Sequence, residues 1–307
     1  MRLVLGRNAF PAHLPPAVVT IGMFDGVHRA HQRLVRTAVS LAQRFRAPSV
    51  AVTFDPDPEY VLQPDRPVQS LMPLARRAEL LGDLGIEIVW VIRFTPSFAR
   101  VPAEAFVRDV LHRRLRARII VVGEAFAFGR SRRGDLPLLR ALGHRIGMRV
   151  VAVPTVRVGG ERVSSSRIKR LIEAGELTGA ARLLSRPPEL SGVVVHGSGR
   201  GRRIGVPTAN LRVQDAVWPP TGVYAVRMQH RARRFRGVMN LGVRPTFGGG
   251  PLTCEVHLFD AHPRLYGQTV RVELLRRLRN ERRFRAPAAL ASQIARDIAQ
   301  TRRLLSV

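Results

Sequence analysis

The chain has 307 residues and 45% hydrophobic composition, enough for two globular cores rather than one. Its formal net charge of +29 favours anionic substrates, but Lys169 is the only lysine, so the excess is almost entirely arginine spread along the chain. No run approaches the ~18 apolar residues of a membrane helix. The first ten residues lack a signal-peptide layout, and Cys254 as the single cysteine excludes an intrachain disulfide and fits a reducing cytoplasm.

In chain order, residues 18–22 read as a strand, 31–46 as a helix, 49–54 as a strand, 74–84 as a helix and 86–94 as a strand. Residues 104–115 then read as a helix, 118–123 as a strand, 136–146 as a helix and 149–156 as a strand. Val- and Ile-rich strands separated by helices predict a parallel sheet covered on both faces. Residues 164–184 predict one or two short helices broken at Gly175. Beyond Arg186-Pro187-Pro188 the pattern changes to short strands at 192–196, 222–228, 235–240, 253–259 and 269–275, with Gly/Pro-rich turns. These predict an antiparallel barrel, closed by an amphipathic helix over 288–305. The expected domains are 1–186 (α/β, Rossmann-like) and 187–307 (all-β).

Gly22-Met23-Phe24-Asp25-Gly26-Val27-His28-Arg29-Ala30-His31 joins the first strand to the first helix. Ligands of open α/β sheets bind at strand carboxyl ends, and a helix start there offers N–H groups to phosphates. Gly22, Phe24 and Asp25 are therefore candidate ATP-binding residues. His28 and His31, three apart, share one helix face and can donate to a phosphate gaining charge. Two surface histidines are an equally good reading of the bare pair. Ser164-Ser165-Ser166-Arg167 is a second anion site, with hydroxyls and a guanidinium at a helix start; one Ser alone would be an ordinary cap. Ser164, Ser165 and Arg167 join the ATP candidates.

In the second half, Gly197, Gly199 and Gly205 belong to a glycine-rich loop that lets backbone N–H groups approach phosphates. Pro207-Thr208-Ala209-Asn210 follows. Thr208 and Asn210 supply oxygens of the kind Mg²⁺ takes. Glu255, on the same strand face as His257, can accept a hydroxyl proton. An outward surface glutamate is the commoner fate.

These motifs resemble the bacterial bifunctional riboflavin kinase/FAD synthetase family over nearly the whole chain. The His-x-x-His turn and the Ser-Ser-Ser-Arg helix start look like its nucleotidyltransferase half. Gly123-Glu124-Ala125-Phe126-Ala127-Phe128-Gly129 resembles its Phe-x-Phe-Gly loop, which implies that Phe126 and Phe128 bind flavin. Thr53-Phe54-Asp55-Pro56-Asp57-Pro58 resembles a further segment. The glycine loop, Pro207–Asn210, Pro220-Thr221-Gly222-Val223-Tyr224, Asn240-Leu241-Gly242-Val243-Arg244-Pro245-Thr246-Phe247, Glu255-Val256-His257-Leu258 and Leu265-Tyr266-Gly267 are similar, in order, to its kinase module.

The resemblance implies that Thr208 and Asn210 hold Mg²⁺–ATP, that Glu255 is the base and that Arg244 lies in a flavin site. The implied reactions are riboflavin to FMN in the second half and FMN to FAD in the first, with ATP as co-substrate of both. The implied partners are small molecules, with no membrane.

The sequence departs from the family's usual Asn at Met23, Gly at Ala30, His at Asp57, Asp or Asn at Ala125 and Arg at Ala127. Each removes or reverses a polar contribution. Asp260-Ala261-His262-Pro263 departs beside the kinase site. Three readings follow: the bifunctional enzyme; a riboflavin kinase with an inactive or redirected first half; and, from charge alone, a basic nucleic-acid-binding protein, which evenly spread arginine argues against.

Overall fold

A computed structural model describes residues 1–6, 14–197, 205–243, 252–259, 261, 263–282, 284 and 287–305. The chain divides into two compact units, Met1–Val68 with Pro73–Ser165, and Gln69–Met72 with Ser166–Val307.

The first unit holds a parallel sheet of β1 (Arg2–Leu5), β2 (Ala17–Ile21), β3 (Ser49–Asp55), β4 (Ile88–Arg93), β5 (Ala117–Gly123) and β6 (Arg149–Val153), in the order β1-β4-β3-β2-β5-β6. Every residue of β2 is buried, as expected of a strand covered on both faces. The connecting helices are α1 (Arg29–Arg44), α2 (Pro58–Leu62), α3 (Leu74–Asp83), α4 (Pro96–Ala99), α5 (Ala103–Ala105) and α6 (Leu136–Arg145). The helix expected over 104–115 is mostly π-helical, Phe106–Arg114. The wider turn buries Phe106, Val107, Val110 and Leu111 together. Strand order reverses beside β2: the chain moves outward through β3 and β4, then returns to place β5 on the other side. The carboxyl ends of β2 and β5 therefore flank a crevice. A two-stranded hairpin, β7 (Arg157–Val158) and β8 (Glu161–Arg162), completes the unit.

The second unit contains α7 (Ser165–Glu173, from its second residue onward) and α8 (Leu177–Leu184), separated by Gly175 in the left-handed region (φ 80°). A closed antiparallel barrel follows: β9 (Glu189–Val195), β10 (Ala209–Val213), β11 (Gly222–His230), β12 (Arg233–Val243), β13 (Leu252–Leu258) and β14 (Thr269–Arg279), ordered β10-β13-β12-β11-β14-β9. Alternate residues point inward, as in β9, where Leu190, Gly192 and Val194 are buried. Closure leaves the ladder without a free edge. Tyr224 is wholly buried, its hydroxyl donating to the Pro220 carbonyl, and burial raises its pKa.

The terminal helix α9 (Pro287–Leu305) is fastened to the barrel by one charge pair. Arg279 Nε donates to both Asp297 carboxylate oxygens at 3.1 and 3.0 Å, and Nη2 donates to Oδ2 at 2.8 Å. Gln293 Nε2 adds a bond at 2.9 Å, and Asp297 is only 3% exposed. Removing one partner strands a buried charge. Asp297→Ala is expected to lower stability by about 3 kcal/mol or more in chemical denaturation, and a loss below about 1 kcal/mol would show the pair to be dispensable.

Candidate active sites

In the first unit the turn after β2 is conformationally demanding. Phe24, Gly26 and Val27 have φ of 51°, 82° and 39°. For Phe and β-branched Val such backbone costs on the order of 1–3 kcal/mol each and persists only if the surroundings impose it. Three side chains do so. Met23 O accepts from Thr53 Oγ1 at 3.2 Å, Asp25 O from Ser165 Oγ at 2.8 Å and Val27 O from Gln32 Nε2 at 2.9 Å. Alternate carbonyls of the turn are thus held from β3, from the start of α7 and from α1. The structure brings the His-x-x-His turn and Ser165, far apart in sequence, into direct contact.

His28 is the N-cap of α1, and its Nδ1 accepts the His31 N–H at 3.4 Å. The proton of a neutral His28 therefore sits on Nε2. The two rings stack with centroids 3.6 Å apart and 15° between planes, and Phe24 meets His31 edge-on at 5.3 Å. Burial first, then the neighbouring charges of His28 and Arg77, hold the His31 pKa well below its usual value. His31 is a neutral imidazole at neutral pH, and its buried Nδ1 has no hydrogen-bond partner among the described residues. Arg167 lies on α7 two residues after Ser165, and Ser164 immediately precedes that helix.

Gly22 and Met23 also border a cavity of about 690 Å³ at the carboxyl ends of the central strands. Phe54, Phe94, Phe98, Phe106, Phe126 and Phe128 line it, with Arg100, Arg130 and Arg132 among its polar members. Phe126 stacks on Phe128 at 5.4 Å, and Phe106 backs Phe128 at 5.9 Å. Gly129 (φ 71°) lets this loop pass Ala103, whose Cα would lie 2.7 Å from any added Cβ. The volume and apolar walls suit a flat aromatic ligand. Ala125 and Ala127 line the same cavity. Phe54, Phe94, Phe98 and Phe106 were missed as site residues; they come from β3, the segment after β4, α4 and the π-helical stretch, and only the fold brings them together.

The second site is on the outer face of the barrel. In β13 the inward residues are Cys254, Val256 and Leu258, so Glu255 and His257 face outward together, as the alternation predicted. Glu255 pairs in register with Asn210 of β10 and with Asn240 of β12. Directly opposed residues share a face, so three polar side chains stand in one row. Thr208 Oγ1 donates to Glu255 Oε2 at 3.4 Å, and His257 Nδ1 bonds the Pro207 carbonyl at 2.9 Å, fixing the segment that carries Thr208. Asn240 was missed as a candidate and was visible only through register. Thr208 and Asn210 offer neutral side-chain oxygens of the kind that fits Mg²⁺ shared with phosphates, beside the Glu255 carboxylate. Burial, then the Glu255 charge, pushes the adjacent Cys254 thiol up to about 12, so it is not a nucleophile.

A smaller cavity of about 250 Å³ adjoins the row, lined by Pro207, Thr208, Arg264 and Tyr266 among others. His196 stacks on Tyr266 at 4.0 Å. Gly205 takes φ 76°, which favours glycine. Gly199 and Arg244 lie outside the described residues.

The comparisons agree on one family. Residues 10–167 match the family model for FAD synthetase, and residues 184–305 that for riboflavin kinase. The bifunctional riboflavin kinase/FMN adenylyltransferase of Escherichia coli K12 is 37% identical over 299 residues, 97% of this chain and 96% of that one. The protein of the same name from Pseudomonas fluorescens is 37% identical over 306 residues, 99% and 98% of the two chains. The chain belongs to the bifunctional riboflavin kinase/FMN adenylyltransferase family.

Both family modules are present, and the fold is theirs. A solved structure described as a macrolide-efflux protein from Streptococcus pneumoniae superposes with a TM-score of 0.85 at 33% identity, covering 95% of each chain. Among the described residues no helix is long and apolar enough to cross a membrane.

Gly197 sets a steric condition on the kinase row. A Cβ there would collide with Asn210 Nδ2. Gly197→Ala is expected to rotate the Asn210 amide away and slow riboflavin phosphorylation on the order of 10²-fold, with little change in melting temperature. Steady-state assays at saturating ATP would measure this, and wild-type turnover would remove Gly197 from the site.

Proposed function

We infer that the chain makes FMN from riboflavin in its barrel unit and FAD from FMN in its parallel-sheet unit, using ATP for both. The observation that carries this reading is the aromatic cavity opening beside the His28–His31 turn, where a flavin and a nucleotide phosphate would meet. The proposed module boundary stays at 186/187, supported by the riboflavin kinase match beginning at residue 184. A cytoplasmic location and small-molecule partners fit the single buried cysteine and the absence of any membrane-length helix among the described residues.

In the kinase reaction Glu255 takes the proton of the terminal ribityl hydroxyl, whose oxygen forms a bond to the γ-phosphorus as the bond to ADP breaks. Thr208 and Asn210 would hold Mg²⁺ beside the phosphates, and the ion supplies neutralisation of their charge. The backbone at Gly197 and at Gly205 would approach the same phosphates. In the second reaction an FMN phosphate oxygen attacks the α-phosphorus of ATP and pyrophosphate leaves. His28 donates from Nε2 to the charge that develops, with His31, Ser164 and Ser165 completing the anion site with the backbone at Gly22, Phe24 and Asp25. Burial and the neighbouring charges keep His31 a neutral imidazole beside the stacked His28 ring. Phe126 and Phe128 provide the flavin wall.

Two of the departures from the family pattern have structural roles that do not oppose activity. Asp57 is the N-cap of α2, accepting the Glu59 N–H at 3.0 Å. Met23 serves the turn through its carbonyl, which any residue supplies. With riboflavin, ATP and Mg²⁺, chromatography should show FMN followed by FAD; FMN accumulating alone would favour the redirected first half. Glu255→Ala should reduce FMN formation by about 10²-fold or more while FAD formation from supplied FMN persists. His28→Ala should do the reverse, and loss of both activities in either variant would contradict the division of labour.

A further inference from the structure

Arg77 is a buried cation that the reactions above do not use. It is 4% exposed, on α3, in the first unit. Burying a guanidinium is costly unless it is compensated and hydrogen-bonded. Three carboxylates compensate it: Asp25, Asp57 and Asp55 each favour its charged form, against a larger opposing effect of burial. Asp25 is itself in the turn after β2, Asp55 ends β3 and Asp57 follows it, so the charge sits directly behind the phosphate turn.

Its hydrogen bonding points to the same place. Arg77 Nη1 donates to Thr53 Oγ1 at 3.3 Å, and Thr53 Oγ1 donates onward to the Met23 carbonyl at 3.2 Å. With the Thr53 acceptor site occupied by the guanidinium, the hydroxyl proton is directed at Met23. Met23 immediately precedes Phe24, the first residue of the turn held in the left-handed region. The relay thus acts where the strained backbone begins. Thr53 is wholly buried, so water cannot replace it.

We propose that Arg77 is a positioning residue for adenylyl transfer: through Thr53 it fixes the Met23 carbonyl and so the turn that aims His28 and His31. The inference rests on that turn being the adenylyl-transfer site. The electrostatic influence of Arg77 on His31 agrees with it, since the guanidinium helps to keep that ring neutral.

The test uses the full chain and measures FAD formation from supplied FMN, with riboflavin phosphorylation in the same preparation as the internal control of integrity. Thr53→Val removes the hydroxyl at almost constant shape. It is expected to lower kcat for FAD formation by about tenfold or more while KM for FMN stays within about twofold, because Thr53 itself does not line the flavin cavity. Thr53→Ser keeps the relay and should stay within about threefold of wild type. Arg77→Met should match Thr53→Val; if Arg77→Met does not fold, the Thr53 pair decides alone. Wild-type kcat in Thr53→Val, or equal impairment in Thr53→Ser, overturns the proposal. His28→Ala separates the two levels. If it keeps FAD formation, the turn is not the site and both readings fall; if it loses FAD formation while Thr53→Val does not, only the role of Arg77 falls.

Discussion

A parallel sheet whose strand order reverses cannot be covered at the point of reversal. The helices that follow β2 and β5 leave to opposite faces, and the carboxyl ends of these two strands are left facing a gap. In this chain both segments that enter the gap are chemically loaded. The one after β2 carries the two histidines, and the one after β5 carries Phe126 and Phe128. Neither segment makes a site alone. The reversal makes the turn a phosphate site and the loop an aromatic wall, because it places them on either side of one cavity.

The barrel solves a different problem. Its interior is largely filled by side chains, Tyr224, Val226 and Met239 among them. The polar row stands on the outer face, beside a small cavity that reaches Val194, Val256 and Leu258, and strand register decides which residues meet there. Asn210, Glu255 and Asn240 come from three strands and align only because β13 lies between β10 and β12. Thr208, just before β10, then approaches from the side. A one-residue slip of β13 would bury Glu255 and turn Cys254 outward, so the site is tied to barrel packing as firmly as the core is.

Local pattern made much of this legible. The Val/Ile strands, the change to short antiparallel strands after Pro187-Pro188 and the shared face of Glu255 and His257 follow from periodicity of two and from turn residues. The histidine pair needed only helical spacing. What local pattern hid was information carried by long-range packing. β1 was not anticipated: it is a four-residue strand at the sheet edge, and the apolar run Leu3-Val4-Leu5 is too short to mark a strand by periodicity. The π-helical stretch reads as ordinary helix because its apolar spacing is close to helical. Arg77 follows Arg76 in a helix of mixed composition, where an arginine pair reads as a solvated face. Arg76 instead pairs with Glu79 at 3.0 Å, while Arg77 turns into the core. Only the fold reveals which arginine is buried. Asn240 was likewise hidden, because its meaning depends on register with a strand that begins twelve residues later.

Asp57 shows how a substitution that looks adverse can be absorbed. A carboxylate in place of an imidazole near a phosphate site is unfavourable by Coulomb's law at any plausible dielectric. Two features offset it here. Its oxygen caps α2, where the helix N-terminus favours negative charge. Its charge also lies near Arg77, whose burial would otherwise leave a cation poorly compensated. The net field at the turn is then the sum over a buried cation and its carboxylates, not the isolated charge of Asp57. Seen this way, the Asp57 carboxylate helps to keep Arg77 charged, and a charged Arg77 sustains the Thr53 bond that shapes the turn. The residue that departs most from the family pattern in charge thus belongs to the same electrostatic group as the histidine site, one step removed from the phosphates.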